Sequence, residues 1–357
     1  MTVGKSTSVF LETYSDDAPA PTFLTSLARA RAFRSQKVTI DIERDTDDIA
    51  IVIQDLQDGG RDNTANLYQN NEYLPPIYKE EAPLNSFSLL ERRPGQDPHQ
   101  DPVYAANLAM DAAKVLQKMD KKIRRSVELQ ASQVLQTGKA DLKDKNGVSL
   151  YTIDYSPKAA NFPQVATSWS DTANATPLLD LESLAHQLND VGRGTANRVI
   201  FGRTAWQNFV RNDEVQKILD NRRISLGAVD RPRPVGGAVF MGDIAVGPYL
   251  VELWTYTGKY KDPNGGAITR YVDDNNAIML SDNTRIDAAY GALPYVAGPE
   301  QRALQFLPQR RSANGGDMTW NSWIIPDGSA LYVSAGTRPL YIPTAIDTFG
   351  TLNTVAP

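Results

Sequence analysis

The sequence has no cysteine in 357 residues and only two histidines, His99 and His186. The first absence excludes disulfides, thiolate nucleophiles and every cysteine-based zinc or iron–sulfur site. The second excludes a multi-histidine metal centre within one chain. No run approaches the ~20 apolar residues of a membrane-spanning helix. The opening "MTVGKSTSVFLETYSDDAPAP" carries one lysine but no apolar stretch of signal-peptide length, so a soluble chain without a targeting segment is expected. Net positive charge is missing too: the formal charge is −5 and the pI about 5.3. A protein that mainly grips nucleic acid normally has a net basic surface. What is present is an ordinary globular composition, 22% charged and 41% hydrophobic. It fits synthesis in a reducing compartment, and the length allows two domains or one elaborate one.

The best-defined element is a rod, "DPVYAANLAMDAAKVLQKMDKKIRRSVELQASQVLQTGKADL", residues 101–142. Asp101 is a natural N-cap and Pro102 suits the first helical position. Leu108, Ala112, Val115, Met119, Ile123, Val127, Ala131 and Val134 recur at steps of three or four, which predicts one apolar stripe. Gly138 is placed to end the helix in a left-handed cap. About 36 residues at ~1.5 Å each span roughly 50 Å. One stripe on such a length predicts one packed face and one left to solvent or neighbours.

Upstream, Thr22 is placed to cap a short helix with Phe23, Leu24 and Leu27 on one face. Val38, Ile40 and Ile42 alternate with Thr39, Asp41 and Glu43, the period of a half-buried strand, and "DIAIVIQD" follows as a second strand run. Residues 57–86 lose periodicity and fill with Gly, Asn, Gln and Pro, which predicts a long loop, either functional or disordered. Tyr68, Tyr73 and Tyr78 in it point to contact with a surface. Beyond the rod, Asn146-Gly147 predicts a hairpin between Leu142 and the run Leu150, Ile153, Tyr155.

Residues 163–310 read as α+β. Thr176 and Pro177 start a helix with Leu178, Leu181, Leu184, Leu188 and Val191 along one face. "NRVIFG" is a short buried strand, and Thr204 is placed to cap a second helix, "AWQNFVRNDEVQKILD". A basic, proline-rich loop follows, then strands at "AVFMG", "YLVELWTYTGKY" and "AIML", with "KDPNGG" as a turn. The tail, with Trp320, Trp323 and Tyr332, is β-rich and expected to pack onto the rod.

Candidate chemistry is thin. "GKST" at Gly4–Thr7 has only three residues before it, too few for the glycine and strand that a phosphate-binding loop requires. His186, with Asp190 four residues on, is read as a helix-surface histidine, since a site needs several convergent groups. His99 lies in a turn-forming "GQDPHQDP". No serine sits in a Gly-x-Ser-x-Gly elbow. "DPNGG" and "VDDNN" lack calcium-loop spacing, and Asn174–Thr176 matches a glycosylation pattern without a secretory signal. The basic pairs Lys121-Lys122, Arg124-Arg125, Arg222-Arg223 and Arg310-Arg311 could touch phosphate. In an acidic chain they read rather as a solvated helix face or intersubunit salt bridges. No catalytic, cofactor-binding or metal-binding residue is assigned, and no enzyme activity is expected.

An arm, a two-stranded excursion, a rod, a hairpin and an α+β lobe reach farther than their own core supports. Such parts bury remaining apolar faces against copies of themselves. Several stretches are similar to one family. They are "FLTSLARARAFRSQKVTIDIE", "LERRPGQDP", "QVLQTGKADLKDKNGVSLYTIDY", "VIFGRTAWQNFVRNDEVQKILDNRR", and "LVELWTYTGKYKDPNG" followed by "YVDDNNAIML". In that order and spacing, over about residues 20–345, the chain resembles the major capsid proteins of lambda-like tailed bacteriophages, which have the Hong Kong 97-like fold.

The resemblance implies an N-terminal arm (1–36) reaching a neighbour and an extended β-hairpin loop (37–100) laid across the next subunit. It implies a peripheral domain with a spine helix and hairpin (101–162), an axial domain (163–310) and C-terminal strands returning to the peripheral domain (311–357). It implies self-assembly into hexamers and pentamers of an icosahedral shell, built in the host cytoplasm and residing in the virion. The implied partners are a portal protein, a scaffold or decoration protein, and packaged double-stranded DNA bound without sequence specificity. No membrane or cofactor is implied. An encapsulin-type nanocompartment shell with an enzyme cargo, or a soluble hydrolase, are the alternatives, separable by packaged nucleic acid and by size.

Overall fold

The computed structural model describes residues 22–33, 37–43, 68–85, 104–143, 147–220, 234–261, 266–293, 318–324 and 330–357. A one-turn helix α1 (Phe23–Ser26) leads into β1 (Arg29–Ala32). Strands β2 (Val38–Glu43) and β3 (Tyr68–Tyr73) form an antiparallel ladder with Val38 opposite Tyr73 and Glu43 opposite Tyr68. Next come β4 (Tyr78–Asn85), the long helix α2 (Tyr104–Thr137), and a hairpin of β5 (Lys139–Lys143) and β6 (Ser149–Asp154). Helix α3 (Pro177–Gly192), β7 (Ala196–Phe201), α4 (Arg203–Arg211) and α5 (Asp213–Asp220) follow. The chain continues through β8 (Pro234–Val235), β9 (Ala238–Val246), β10 (Tyr249–Tyr256), β11 (Lys259–Lys261), β12 (Ile268–Arg270), β13 (Asn276–Ser281) and β14 (Ile286–Tyr290). The remaining strands are β15 (Thr319–Ile324), β16 (Ala330–Thr337), β17 (Pro339–Pro343) and β18 (Phe349–Asn353).

The α+β lobe is built on a six-stranded sheet in the order β18-β13-β7-β10-β9-β8. Central β7 pairs parallel with β10 and antiparallel with β13. Its Val199, Ile200 and Phe201 are all buried, as a strand covered on both faces requires. Helix α3 lays Leu178, Leu181, Leu184, Ala185 and Leu188 on this core, while Val191 stays partly exposed. Trp169 is fully buried beside Phe201 and Phe209, and its Nε1–H donates to Asp180 Oδ2 at 2.8 Å. Burial pushes the Asp180 carboxyl above its ordinary range, opposed by that hydrogen bond.

The single helix expected after Thr204 is two helices. Gly202, not Thr204, is the N-cap of α4; its backbone lies so close to the Asp273 and Asp274 carbonyls that a Cβ would overlap them. Asn212 then breaks the run. Its buried Nδ2 donates to the Thr172 and Ala175 carbonyls, and its Oδ1 accepts from the Glu214 N–H at 3.0 Å. An asparagine that finds carbonyls away from its own helix competes with helix continuation.

Helix α2 carries the expected stripe from Ala112 on: Ala112, Met119, Ile123, Val127, Ala131 and Val134 are buried and Val115 is partly buried, while the Leu108 side chain lies outside the described ones. Its first half packs on the sheet β15-β16-β4, where Ala112 and Leu116 meet Leu84 and Val333. Met119 and Ile123 meet Ala335 and Trp320, so the tail packs on the rod as expected, with Trp323 stacked on Tyr332. The expectation of one free face fails for the second half. There Val127, Glu128, Gln130, Ala131, Ser132, Val134 and Leu135 are all buried. The cause is enclosure by α1, β10, the sheet β1-β14-β17 and β18, which share one core with that end of the helix.

Two other expectations change. Residues 57–86 are not uniformly loop: 68–73 and 78–85 are strands, and β4 pairs along its whole length with β16. Pro83 hid this in the sequence, yet β4 is a sheet edge, where proline is tolerated. The tail also divides, because β18 closes the lobe sheet against β13 instead of staying with the helix.

Gly138 ends α2 as expected. Its φ is +68°, its N–H donates to the Val134 carbonyl at 2.7 Å, and a Cβ there would overlap the Pro157 ring. G138A is expected to cost at least ~1–2 kcal/mol from the left-handed backbone alone, and more from the ring overlap. A denaturant midpoint on unassembled chain, set against wild type, measures it; an unchanged midpoint refutes the strain.

Candidate assembly surfaces

Polar residues in the last turns of α2 hold other segments in place. Glu128 is fully buried. Its carboxylate accepts from the Leu24 and Thr25 backbone N–H groups at 2.9 Å each, and from the Thr25 hydroxyl at 2.6 Å. It also accepts from the Thr22 hydroxyl, and from the Tyr256 hydroxyl at 2.5 Å. The two N–H groups are orphan donors of the first turn of α1, so a side chain on α2 does the capping that Thr22 was expected to do. Burial, reinforced by the Glu128 charge, pushes the Tyr256 phenol far above its ordinary value, and the Tyr271 and Tyr341 phenols rise for the same causes. These phenols therefore remain protonated across the working pH range, and the Tyr256 hydroxyl remains a donor.

Neighbouring glutamines extend the pattern. Gln130 Nε2 donates to the Tyr78 hydroxyl at 2.7 Å, and its Oε1 accepts from the Tyr341 N–H. Gln136 Oε1 accepts from the Asp273 N–H and Asn276 Nδ2, each at 2.9 Å. The helix thus ties the N-terminal segment, the root of β4, β17 and the lobe into one body. The described part of the expected arm, residues 22–33, is docked here in its own chain, with Phe23 and Leu24 buried.

The connector between β3 and β4 is held at Pro75. Buried Arg338 donates to the Pro75 carbonyl through Nε and Nη2 at 3.3 and 3.1 Å, and to the Ala292 carbonyl through Nη1. On either side of the proline pair, Leu74 and Ile77 are exposed. Val148 and Leu150 are exposed at the β5–β6 turn, and Leu179, Leu250 and Ile268 on the lobe. On edge strand β1, exposed Arg31 pairs with buried Asp287 at 3.0 Å. Burial raises the Asp287 carboxyl, opposed by Arg31 and Arg29.

The residues singled out in the sequence do not converge. His186 lies on α3, its Nδ1 3.1 Å from the Tyr249 hydroxyl and its Nε2 3.5 Å from Glu182, with Asp190 exposed farther along. Asp273 and Asn275 form a local turn, and Asp274 pairs with Arg270. Asn174 bonds Asp171 beside the start of α3. Lys121, Lys122 and Arg125 are exposed, whereas Arg124 turns in to pair with buried Asp120 at 2.8 Å. Gly4–Thr7, the "DIAIVIQD" run, His99, Asp101, Pro102, Arg222-Arg223, residues 262–265 of "DPNGG" and Arg310-Arg311 lie outside the described residues. Among the described residues no group of three His, Asp or Glu side chains could hold a metal ion, and no helix is long and apolar enough to cross a membrane. Periodicity missed Glu128, Gln130 and Arg338. For Glu128 a signal existed: it stands beside Val127 and three residues before Ala131, inside the apolar stripe.

A family model described as phage major capsid protein E matches residues 6–353. No curated protein matches the sequence. Among solved structures, a prophage protein of E. coli CFT073 assigned as a capsid protein superposes with a TM-score of 0.64 at 19% identity, covering 96% of this chain and 97% of that one. A phage-related protein from Bordetella bronchiseptica RB50 superposes with a TM-score of 0.50 at 9% identity, covering 97% and 96%.

Proposed function

Because the chain belongs to the phage major capsid protein E family and is a capsid shell protein, we propose that it assembles as hexamers and pentamers into an icosahedral head around the double-stranded DNA of a tailed phage. Its fold is Hong Kong 97-like. Family membership implies a structural, non-enzymatic role and a place in the virion. The observation that carries the finer proposal is the β2–β3 ladder, rooted in the core at Val38 and Tyr73, with residues 44–67 between its strands. Exposed Leu74, Ile77, Val148 and Leu150 need cover, and repeated copies of the chain supply it.

In this proposal residues 1–36 are the arm, with 22–33 as its anchor, and the segment beyond Lys37 is the extended loop. Helix α2 with its hairpin is the peripheral domain, and the α+β lobe, closed by β18, is the axial domain. A portal protein, a scaffold or decoration protein, and DNA contacted without sequence specificity are the proposed partners, with assembly in the host cytoplasm. Many weak repeated contacts suffice for a closed particle. Negative-stain microscopy and sedimentation of the purified chain are expected to show closed particles, with nucleic acid rather than an enzyme cargo in those from infected cells. A compact monomer that persists at high concentration would overturn the proposal.

A further inference from the structure

Two patches of opposite sign carry unmatched charge on and beside the α+β lobe. The first lies on the six-stranded sheet. Helices α3, α4 and α5 cover one of its faces. On the other, α1 covers only the part around Trp254, on which Phe23 stacks at 5.2 Å. Beyond Trp254 that face is open. Leu250 is 70% exposed there, and Glu252, two positions on and on the same face, lies directly opposite Asp243. Arg198 donates to Glu252 from Nε at 3.0 Å and Nη2 at 2.9 Å, and Trp254 Nε1 donates to it at 2.9 Å. The Asp243 carboxylate has no hydrogen-bond or ion-pair partner among the described residues. Like charges directly opposite destabilise a ladder, and burial, then the Glu252 charge, raise the Asp243 carboxyl. The second patch is the β11–β12 ribbon, a two-stranded sheet by itself, a form of marginal stability unless something packs on it. On one side Tyr260 packs on Tyr271 at 5.1 Å. The other side carries Lys259, Lys261 and Ile268, with Lys261 directly opposite Ile268. Both lysines are exposed and without an ion-pair partner among the described residues, and Ile268 is 65% exposed. Arg270, opposite Lys259, is already paired with Asp274.

We infer, resting on the shell assignment above, that the open sheet face around Leu250 receives the β11–β12 ribbon of a second copy of the chain. Lys259 and Lys261 bring cations to the Asp243–Glu252 pair, which holds one arginine for two carboxylates, and Ile268 covers Leu250. Each patch joins an exposed aliphatic side chain to unmatched charge of one sign, so the two complement each other in both respects. A chain cannot make this contact with itself. Strand β10 runs from one patch to the other and holds them about 20 Å apart, farther than a lysine reaches. The contact is therefore heterologous: each copy gives its ribbon to one neighbour and receives the ribbon of another, the kind of contact that closes into rings. The charges set encounter rate and register, while the aliphatic pair excludes water.

The test is a charge exchange. D243K reverses the sheet face, and K259E/K261E reverses the ribbon. Neither removes a partner within its own chain, so both are expected to keep a wild-type thermal melt. Either alone is expected to yield at least about tenfold fewer shells by microscopy, because like charges then meet across the contact. Combined in one chain, D243K/K259E/K261E is expected to restore shells. Co-expressed as separate chains, the two reversals match in a six-membered ring that alternates them, and native mass spectrometry is expected to show mixed hexamers. K259Q/K261Q, which adds no charge, is expected to give an intermediate loss, and it stands in if the reversal lowers the melt. Wild-type shell yield from D243K and from K259E/K261E overturns the inference. Rescue by the combined variant without mixed hexamers on co-expression would place the contact within one chain and overturn it too. So would normal shells that hold less nucleic acid in the ribbon variant, which would assign the lysines to phosphate. Absence of shells from the wild-type chain would instead sink the shell assignment, and this inference with it.

Discussion

Replacing Glu128 with alanine is expected to remove ~3–5 kcal/mol of folding stability, an amount typical of breaking a buried charged network. The carboxylate is fully buried and accepts from five donors supplied by Thr22, Leu24, Thr25 and Tyr256. The threonine hydroxyls can turn toward other acceptors. The Leu24 and Thr25 backbone N–H groups cannot, and each stranded buried donor costs ~1–3 kcal/mol. E128Q keeps the volume and one acceptor oxygen but turns an NH₂ group toward donors, so roughly half the loss is expected. Helix α1 should release first, because Glu128 satisfies its first-turn N–H groups, whereas β1 is held separately by its pairing with β14. Denaturant melts of unassembled chain, with limited proteolysis mapped to residues 22–33, read both effects. An E128A chain within ~1 kcal/mol of wild type, with that segment still protected, would show that the carboxylate does not hold it.

The second large effect is all-or-none. Joining Glu43 to Tyr68 through a two-residue Asn-Gly turn, in place of residues 44–67, is expected to leave the monomer's melt essentially unchanged and to abolish shells. The geometry permits it, since Glu43 and Tyr68 are directly opposite in an antiparallel ladder, the arrangement that a two-residue turn closes. Deleting residues 57–86 instead would remove β3 and β4, taking Leu84 out of the contact with Ala112, Leu116 and Val333 and exposing the edge of β16. That deletion is expected to aggregate, and it says nothing about assembly. Circular dichroism separates the two cases, and microscopy decides the first. Shells at wild-type yield from the turn variant would remove residues 44–67 from the assembly mechanism.

Both results turn on features that differ in how far the sequence exposes them. The apolar stripe of α2, its left-handed end at Gly138, the leucine face of α3 and the pairing of β5 with β6 were legible because each depends on residues a few positions apart. The family likeness was legible for a related reason: ordered local patterns over about residues 20–345 carry it, and the family match over residues 6–353 agrees. The strand β4 was hidden because its partner, β16, lies some 250 residues downstream, and an edge strand with a proline has no alternation to display. Asn212 read as a helical residue until the Thr172 and Ala175 carbonyls were brought to it.

By itself, then, the sequence determined the rod's apolar stripe, the hairpin, the leucine face of α3, the absence of thiol chemistry and the family. Tertiary structure alone decided that Glu128 is a buried latch rather than surface charge, that β18 belongs to the lobe, and that only the first half of the rod keeps an open face. The physical reason is distance along the chain. Periodicity records which side of an element avoids water, whereas the fate of a polar side chain depends on donors that folding brings from far away, such as Thr25, 103 positions before Glu128.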